Sequence, residues 1–394
     1  MPPWERHRAC SFLGICCGFG IPLAKYFGAG DRDKMRCCIF NSALLTAGAA
    51  VIITTVCAVF CTAILHMLST PDNIFGDAYS YLLIIFLGIP FTLLYNLLAC
   101  ILRAVGDSRT PFIFLGISSV LNIFLDLLFI VVFRMGCAGA AAATVTAQAV
   151  SGVLCFIYIK KHFPELALSP QGRQANGKMI WQLITMGVPM GLQYSITAIG
   201  SMVMQSANNS LGSVYISGFT AGMRIKQFAM CPFDAIATAV SVFCGQNLGA
   251  GKPRRIKKGY HAALVLDLCF AAIAFVVIEA LHTQISSLFL GKDGTALAYQ
   301  VSGDYMRWLG YFFIFMGIKM ATDGVLRGLG IMRPFLVANI VNLAIRLSVA
   351  LICAPRFGIA FVWLAVPVGW LANFLISYVA LRRSWPTDKM ASIS

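Results

Sequence analysis

Apolar residues along this chain come in long unbroken stretches, not with the period of two that marks a half-buried strand. Eleven stretches stand out, at 9–26, 38–66, 77–103, 110–133, 137–160, 180–207, 216–246, 256–281, 299–327, 333–354 and 358–381. Each supplies roughly the 20 apolar residues that a helix needs to cross the hydrocarbon. Both parities of each stretch are apolar, which excludes barrel strands, where lipid-facing and lumen-facing positions alternate. Interior prolines such as Pro22, Pro90, Pro189, Pro232 and Pro367 are tolerated in such helices because neighbouring helices satisfy the freed backbone groups. No polar break is long enough for a soluble domain. The pattern therefore predicts an all-α polytopic membrane protein of eleven helices.

Composition agrees. Of 394 residues, 59% are hydrophobic and 11% charged, against roughly 25% charged in a soluble domain, and the mean hydropathy is +0.81. The formal net charge of +15 does not describe a nucleic-acid reader, because Lys and Arg are scattered in short runs between apolar stretches. It describes an orientation. With the first break placed in the cytoplasm, the inner side collects twenty basic residues, from Lys25, Arg32 and Lys34 through Lys252, Arg254 and Arg255 to Arg382, Arg383 and Lys389. The outer side keeps Arg6, Arg8, Arg134, Lys292 and Arg356. This imbalance predicts a multi-pass protein of the cell membrane with a cytoplasmic C-terminus. Arg6 and Arg8 break the pattern. A signal peptide is disfavoured there because Pro22 and Lys25 occupy the place of a small-residue cleavage site.

The chain also repeats itself. Phe27-Gly28-Ala29-Gly30 returns as Leu248-Gly249-Ala250-Gly251, each followed by a charged run. Leu102-Arg103 returns as Leu326-Arg327, Arg134 with Gly136 as Arg356 with Gly358, and Asn122 as Asn342, all at offsets near 221 residues (249 − 28). Landmarks in one order at one spacing mark a duplication. Matching points enclose six crossings, so the two copies are parallel repeats, an arrangement that places a substrate cavity at the lobe interface of transporters. The expected organisation is an N-terminal lobe at 1–161, a cytoplasmic linker at 162–178, a C-terminal lobe at 179–383 and a tail at 384–394. Counting back from the stretch at 180–207 predicts that the first lobe lacks its first helix and is truncated to five, which accounts for Arg6 and Arg8.

Phe-Gly-Ala-Gly-Asp at 27–31, Gly-Gln-Asn-Leu-Gly-Ala at 245–250, Leu-Arg-Ala-Val-Gly-Asp at 102–107 with Pro111, and Asn122 to Asp126 followed by Gly-Ala-Ala-Ala-Ala-Thr at 139–144 are duplicated in order. In these motifs the chain resembles the multidrug and toxic compound extrusion (MATE) transporters over residues 11–383. The resemblance implies a two-lobe fold of twelve helices and a secondary antiporter that exports organic, cationic or amphipathic compounds in exchange for Na⁺ or H⁺. It also implies a cation site in the first lobe, with Asn122, Asp126 and Thr144 matching two of its three elements. The first-helix Asp of that site is absent here. The acids that another branch of the family carries on its seventh and tenth helices have no match, since Gln193 and Lys319 stand in those stretches.

Charges inside a membrane helix demand a partner or a task. Asp126 lies one turn after Asn122, where a carboxylate and an amide oxygen can hold Na⁺ or the carboxyl alone a proton. At the matching place of the second copy stands Arg346, so coupling is expected to be asymmetric. Asp267 with Lys319 and Glu279 with Arg307, each pair at equal depth on consecutive helices, are expected to form structural ion pairs. Asp234 is a second candidate for binding a proton or a cationic substrate. Gln193, Tyr194, Met190 and Met204 are candidates for the substrate cavity by family analogy. Gly14 with Gly18, Gly187 with Gly191 and Gly218 with Gly222 have the small-xxx-small spacing of close helix contacts.

The 14 Cys residues lack metal-ligand spacing and read as small hydrophobes. No Walker loop is present, so neither ATP nor a cofactor is expected beyond the coupling ion. No nucleophile or paired carboxylates lie at a helix end, which excludes an enzyme. The expected partners are the lipid bilayer and a small organic substrate, and the expected state is a monomer. The alternatives are a lipid-linked oligosaccharide flippase of the same superfamily, which would line its cavity with cations, and a truncated inactive membrane protein.

Overall fold

A computed structural model describes residues 3–67, 70–166, 174–209, 213–290, 295–349, 352 and 359–385. Its helices are α1 (Pro3–Ala29), α2 (Arg32–Val59), α3 (Cys61–Met67), α4 (Asp72–Leu87), α5 (Ile89–Ala104), α6 (Arg109–Leu127), α7 (Gly136–His162), α8 (Gly177–Asn209), α9 (Ser213–Gly249), α10 (Pro253–Leu290), α11 (Ala296–Gly328), α12 (Met332–Ser348) and α13 (Ile359–Arg383). Every apolar stretch of the sequence holds a helix; α2 with α3 and α4 with α5 share one stretch each. Among the described residues, α2, α6, α7, α9, α10, α11 and α13 are long and apolar enough to cross a membrane. The pair α4 and α5, bent by 40°, is long and apolar enough for an eighth when taken as one span. The bend falls at Gly88, just before Pro90, which has no N–H to continue the helix. Lys292, Arg356 and Gly358, linker residues 167–173, the tail from 386 with Lys389, and the side chains of Arg6 and Arg8 lie outside the described residues.

The duplicated motifs fold alike. Gly30 (φ +70°) and Gly251 (φ +65°) both take the left-handed conformation that closes a helix. Asp31 N–H then donates to Tyr26 O (3.1 Å), and Lys252 N–H to Asn247 O (2.9 Å), across the same six-residue span. Gly106 and Gly330 end α5 and α11 in the same way, with Asp107 N–H donating to Leu102 O and Ile331 N–H to Leu326 O, both at 2.9 Å. The sequence repeat is thus a repeat of helix caps. Beyond the first of these caps, the Asp31 carboxylate accepts from Lys34 N–H (3.0 Å) and opens α2. That backbone donor, with the Lys34 ammonium 3.0 Å away, holds the Asp31 carboxyl below the usual carboxylate range. Replacement by Ala should cost about 1 kcal/mol, and replacement by Asn far less. Because the folded-state value is depressed, the contribution is complete above the ordinary Asp value and fades as pH falls through the lower one. Thermal unfolding of D31A and D31N at pH 7 and pH 3 measures both effects.

Packing divides the chain into two compact units, one of Ile15–Gly187 and one of Met1–Gly14 with Val188–Ser394. The divisions fall inside α1 and α8. In the first unit the start of α8 is anchored by buried Asn41, which accepts from Asn176 N–H (3.0 Å) and donates to Gln174 O (3.1 Å). Tyr26 donates to Gln182 (2.8 Å), and a Cβ on Gly18 would lie 2.6 Å from Gly187 Cα, so α1 and α8 touch there backbone to backbone. α6 borders this unit with only 6% of its spanning window buried, and Phe112 and Phe124 face outward as lipid-exposed side chains do.

The second unit is built around α11, whose window is 72% buried, flanked by α9, α10 and α13. Its charged residues Lys319, Asp323 and Arg327 are buried with it. Glycines let α9 and α11 approach closely: a Cβ on Gly324 would lie 2.6 Å from Ala237 O, and one on Gly222 2.6 Å from Tyr305 Cδ1. Phe219, Phe233, Tyr305, Phe313 and Trp363 fill the spaces between these contacts.

Candidate functional site

In the first unit α6 and α7 run side by side as an antiparallel ladder. Ser151 Oγ donates to Phe114 O (3.0 Å) and Ser118 Oγ to Ala147 O (2.8 Å). One turn further, Asn122 Nδ2 reaches Thr144 Oγ1 at 3.5 Å, while the Thr144 hydroxyl donates to Ala140 O (3.0 Å). Asp126 is the next position on this face of α6. Opposite it α7 offers Gly139, Ala140, Ala141, Ala142 and Ala143, none with a side-chain donor. The consequence is that Asp126 Oδ1 is buried with no hydrogen-bond partner. Directly after Asp126 the helix widens into a π turn, Leu128–Val132, a distortion frequent at functional sites.

The donor set at this point is a carboxylate, an amide oxygen and a hydroxyl oxygen, the hard ligands an alkali cation takes. The unsatisfied Oδ1 also suits a proton, which would turn it into a donor. Asn122, Asp126 and Thr144 therefore lie on the facing sides of α6 and α7 in one unit, with oxygens of the kind that hold a cation or a proton.

The other residues singled out in the sequence have more varied fates. Glu279 and Arg307 form a bidentate ion pair, with Arg307 Nε donating to Glu279 Oε2 (2.9 Å) and Nη2 to Oε1. Lys319 and Asp267 do not pair. Lys319 Nζ lies 2.8 Å from Asp323 Oδ2 on its own helix. The register expected between α10 and α11 is present, since Asp267 Cβ would lie 2.9 Å from a Cβ on Gly317. The lysine nonetheless takes the acid one turn away on its own helix, which needs no adjustment between helices. Asp267 is left fully buried with both carboxylate oxygens unpartnered.

Asp234 has an exposed side chain. Gln193 Oε1 is buried without a partner, and Tyr194 is partly exposed beside Gly14. Met190 and Met204 are buried, and Met204 belongs to the core of the second unit, where its sulfur accepts from Arg346 Nη2 (3.2 Å). In this conformation Met204 is packed inside the unit.

Asp323 was not foreseen. It is fully buried and accepts from Ser377 Oγ (2.9 Å), and next to it Thr322 meets Tyr260 Oη at 2.8 Å, so α10, α11 and α13 are joined by polar contacts. The Lys-x-x-x-Asp spacing was the signal available for it. Lys226 and Arg346 are buried as well, at 8% and 7% exposure.

Apolar outer faces, buried polar clusters and duplicated caps define a polytopic helical membrane protein. The MatE family model matches residues 10–128 and 189–352, and the chain belongs to this family of multidrug efflux transporters. The Bacillus subtilis protein named Probable multidrug resistance protein YpnP is 33% identical over 280 residues, 71% of this chain and 62% of that relative's length. Probable multidrug resistance protein YoeA, also of Bacillus subtilis, is 24% identical over 97% of this chain and 84% of its own. A MATE crystal structure in a bent conformation has the same fold, with a TM-score of 0.90 and 19% identity over 100% of this chain and 87% of that one.

Proposed function

We propose that this protein is a secondary antiporter of the cell membrane. It exports organic compounds of cationic or amphipathic character by alternating access, in exchange for Na⁺ or H⁺, without ATP. The observation that carries this reading is Asp126. It is an acid within a spanning helix, its Oδ1 is buried and unpartnered, and it lies one turn from the Asn122 and Thr144 pair. An ion bound there stabilises whichever conformation of the first lobe holds the carboxylate closest to its neighbours, and release of the ion shifts the population back. The names of YpnP and YoeA support multidrug substrates. The basic residues of alternate breaks support a cytoplasmic C-terminus.

Asp126→Asn in sealed vesicles is the test. With a Na⁺ or proton gradient imposed, export of a fluorescent organic cation should fall at least tenfold relative to the parent chain, while Asp126→Glu keeps part of it. Export by Asp126→Asn at the parental rate under both gradients would remove Asp126 from the coupling site.

A further inference from the structure

In the second copy of the repeat the face that carries Asn122 and Asp126 carries Asn342 and Arg346, so an acid is replaced by a base. Arg346 is 7% exposed and room for it is made by glycines: a Cβ on Gly200 would lie 3.0 Å from its Nη1, and one on Gly369 3.2 Å from its Cγ. Lys226 on α9 is equally buried and within electrostatic range of Arg346. Among the described residues no carboxylate pairs with either. The acids of this unit are placed elsewhere: Glu279 pairs with Arg307, Asp323 with Lys319, Asp267 is buried against Gly317, and Asp234 and Asp304 are exposed.

Both cations spend their hydrogen bonds on thioether sulfurs, which are weak acceptors. Arg346 Nη2 donates to Met204 Sδ, while Lys226 Nζ (3.2 Å) and Tyr305 Oη (3.3 Å) share Met223 Sδ. Arg346 Nε has no partner, nor has Nε1 of Trp363, whose ring lies 5.6 Å from that of Tyr305. Asn342 Oδ1, an unpartnered acceptor, is turned toward Gly369. The cluster thus holds five donor-bearing side chains around sulfur acceptors, two of them basic, with no carboxylate beside them among the described residues, which is the composition of an anion receptor.

We propose that Lys226 and Arg346 bind an anionic group, a phosphate or carboxylate, carried by the exported compound inside the second unit. The proposal rests on the transporter reading above and narrows its amphipathic substrates to those with such a group. Tyr305 and Trp363 supply aromatic faces and further donors beside the charge. In the conformation described here the cluster is covered, and an alternating-access cycle is what would open it. The first lobe then takes the coupling cation and the second the anion of the cargo, on one duplicated scaffold.

Equilibrium binding to the purified full-length chain in a neutral detergent tests this without any gradient, so failure of ion coupling in vesicles and failure of this site are read separately. Phenyl phosphate should raise the unfolding temperature saturably, and its charge-reversed analogue phenyltrimethylammonium should not. Lys226→Met and Arg346→Met, which remove charge while keeping volume, should each weaken the phenyl phosphate effect at least tenfold, and Lys226→Arg should retain it. Repeating the titration with phosphatidylglycerol in the micelle assigns the anion: loss of the phenyl phosphate shift there means that a lipid headgroup fills the site, persistence that a soluble compound does. Equal shifts in the parent and in Lys226→Met, or a shift with phenyltrimethylammonium alone, would overturn the proposal. If Arg346→Met does not fold, Lys226→Met and the parent's preference between the two probes decide it.

Discussion

Replacing Asp323 with Ala is expected to lower the stability of the purified protein by about 3–5 kcal/mol, the range for breaking a buried ion pair from one side. The size follows from what remains. Lys319 is 5% exposed and its ammonium is 2.8 Å from the Asp323 carboxylate, with Met320 sulfur as its other contact, at 3.7 Å. Without the carboxylate a positive charge stays inside a membrane helix against a thioether, and Ser377 loses its acceptor as well. Lys319→Met in the same chain should recover most of the loss, because an apolar side chain of similar length replaces the stranded charge. Thermal unfolding of the two single variants and the double variant forms the cycle that separates pair from desolvation. If Asp323→Ala alone changes stability by less than about 1 kcal/mol, the Lys319–Asp323 contact does not stabilise the folded protein.

The second large effect is expected at Gly324. A valine there places Cβ 2.6 Å from Ala237 O and 3.1 Å from Ala237 Cα, backbone atoms that cannot rotate away. α9 and α11 must separate along a seam that also holds Gly328 against Cys244, so contacts around the buried Phe233 and Phe313 are lost together. Overpacking of a tight core costs about 1–3 kcal/mol and more where the backbone itself is struck, and the expected result is loss of monodisperse folded protein. Gly48 and Gly116 also lie within helices, and a Cβ added at either would meet nothing within 4 Å. Alanine at either should be neutral or stabilising by up to about 1 kcal/mol, the helix propensity gain. Size-exclusion profiles and unfolding temperatures of the three variants, compared in one detergent, distinguish steric closure from a general intolerance of glycine replacement.

Much of the first lobe's candidate site was legible in the chain. Asn122 and Asp126 are four residues apart on one helix, and the following Gly-Ala-Ala-Ala-Ala-Thr run marks a helix small enough to approach them; the ladder between α6 and α7 uses both facts. The orphaned Oδ1 of Asp126 follows from the same run, since alanines bring the helix near and give the acid nothing to bond. The ion pairs were legible only in part. Equal depth on antiparallel helices correctly brought Glu279 to Arg307, and the same reasoning misassigned Lys319, because depth arithmetic ignores a partner on the same helix. The contact of Met204 with Arg346 was not legible either, because the two lie 142 residues apart in the chain.

The order of polar and apolar residues by itself determined where helices lie and the repeat of their caps, because each is a local property: hydrocarbon thickness fixes span length, and a left-handed glycine fixes where a span stops. Gly30 and Gly251 end their helices identically although 221 residues apart (251 − 30). Which of its available partners each charge takes was decided only by the tertiary structure, because equal depth and helical spacing both offer one and the packing of distant segments selects between them. Tight glycine contacts set α11 at the centre of its unit, Asp323 claims Lys319, and Lys226 and Arg346 are left as two buried cations facing sulfur.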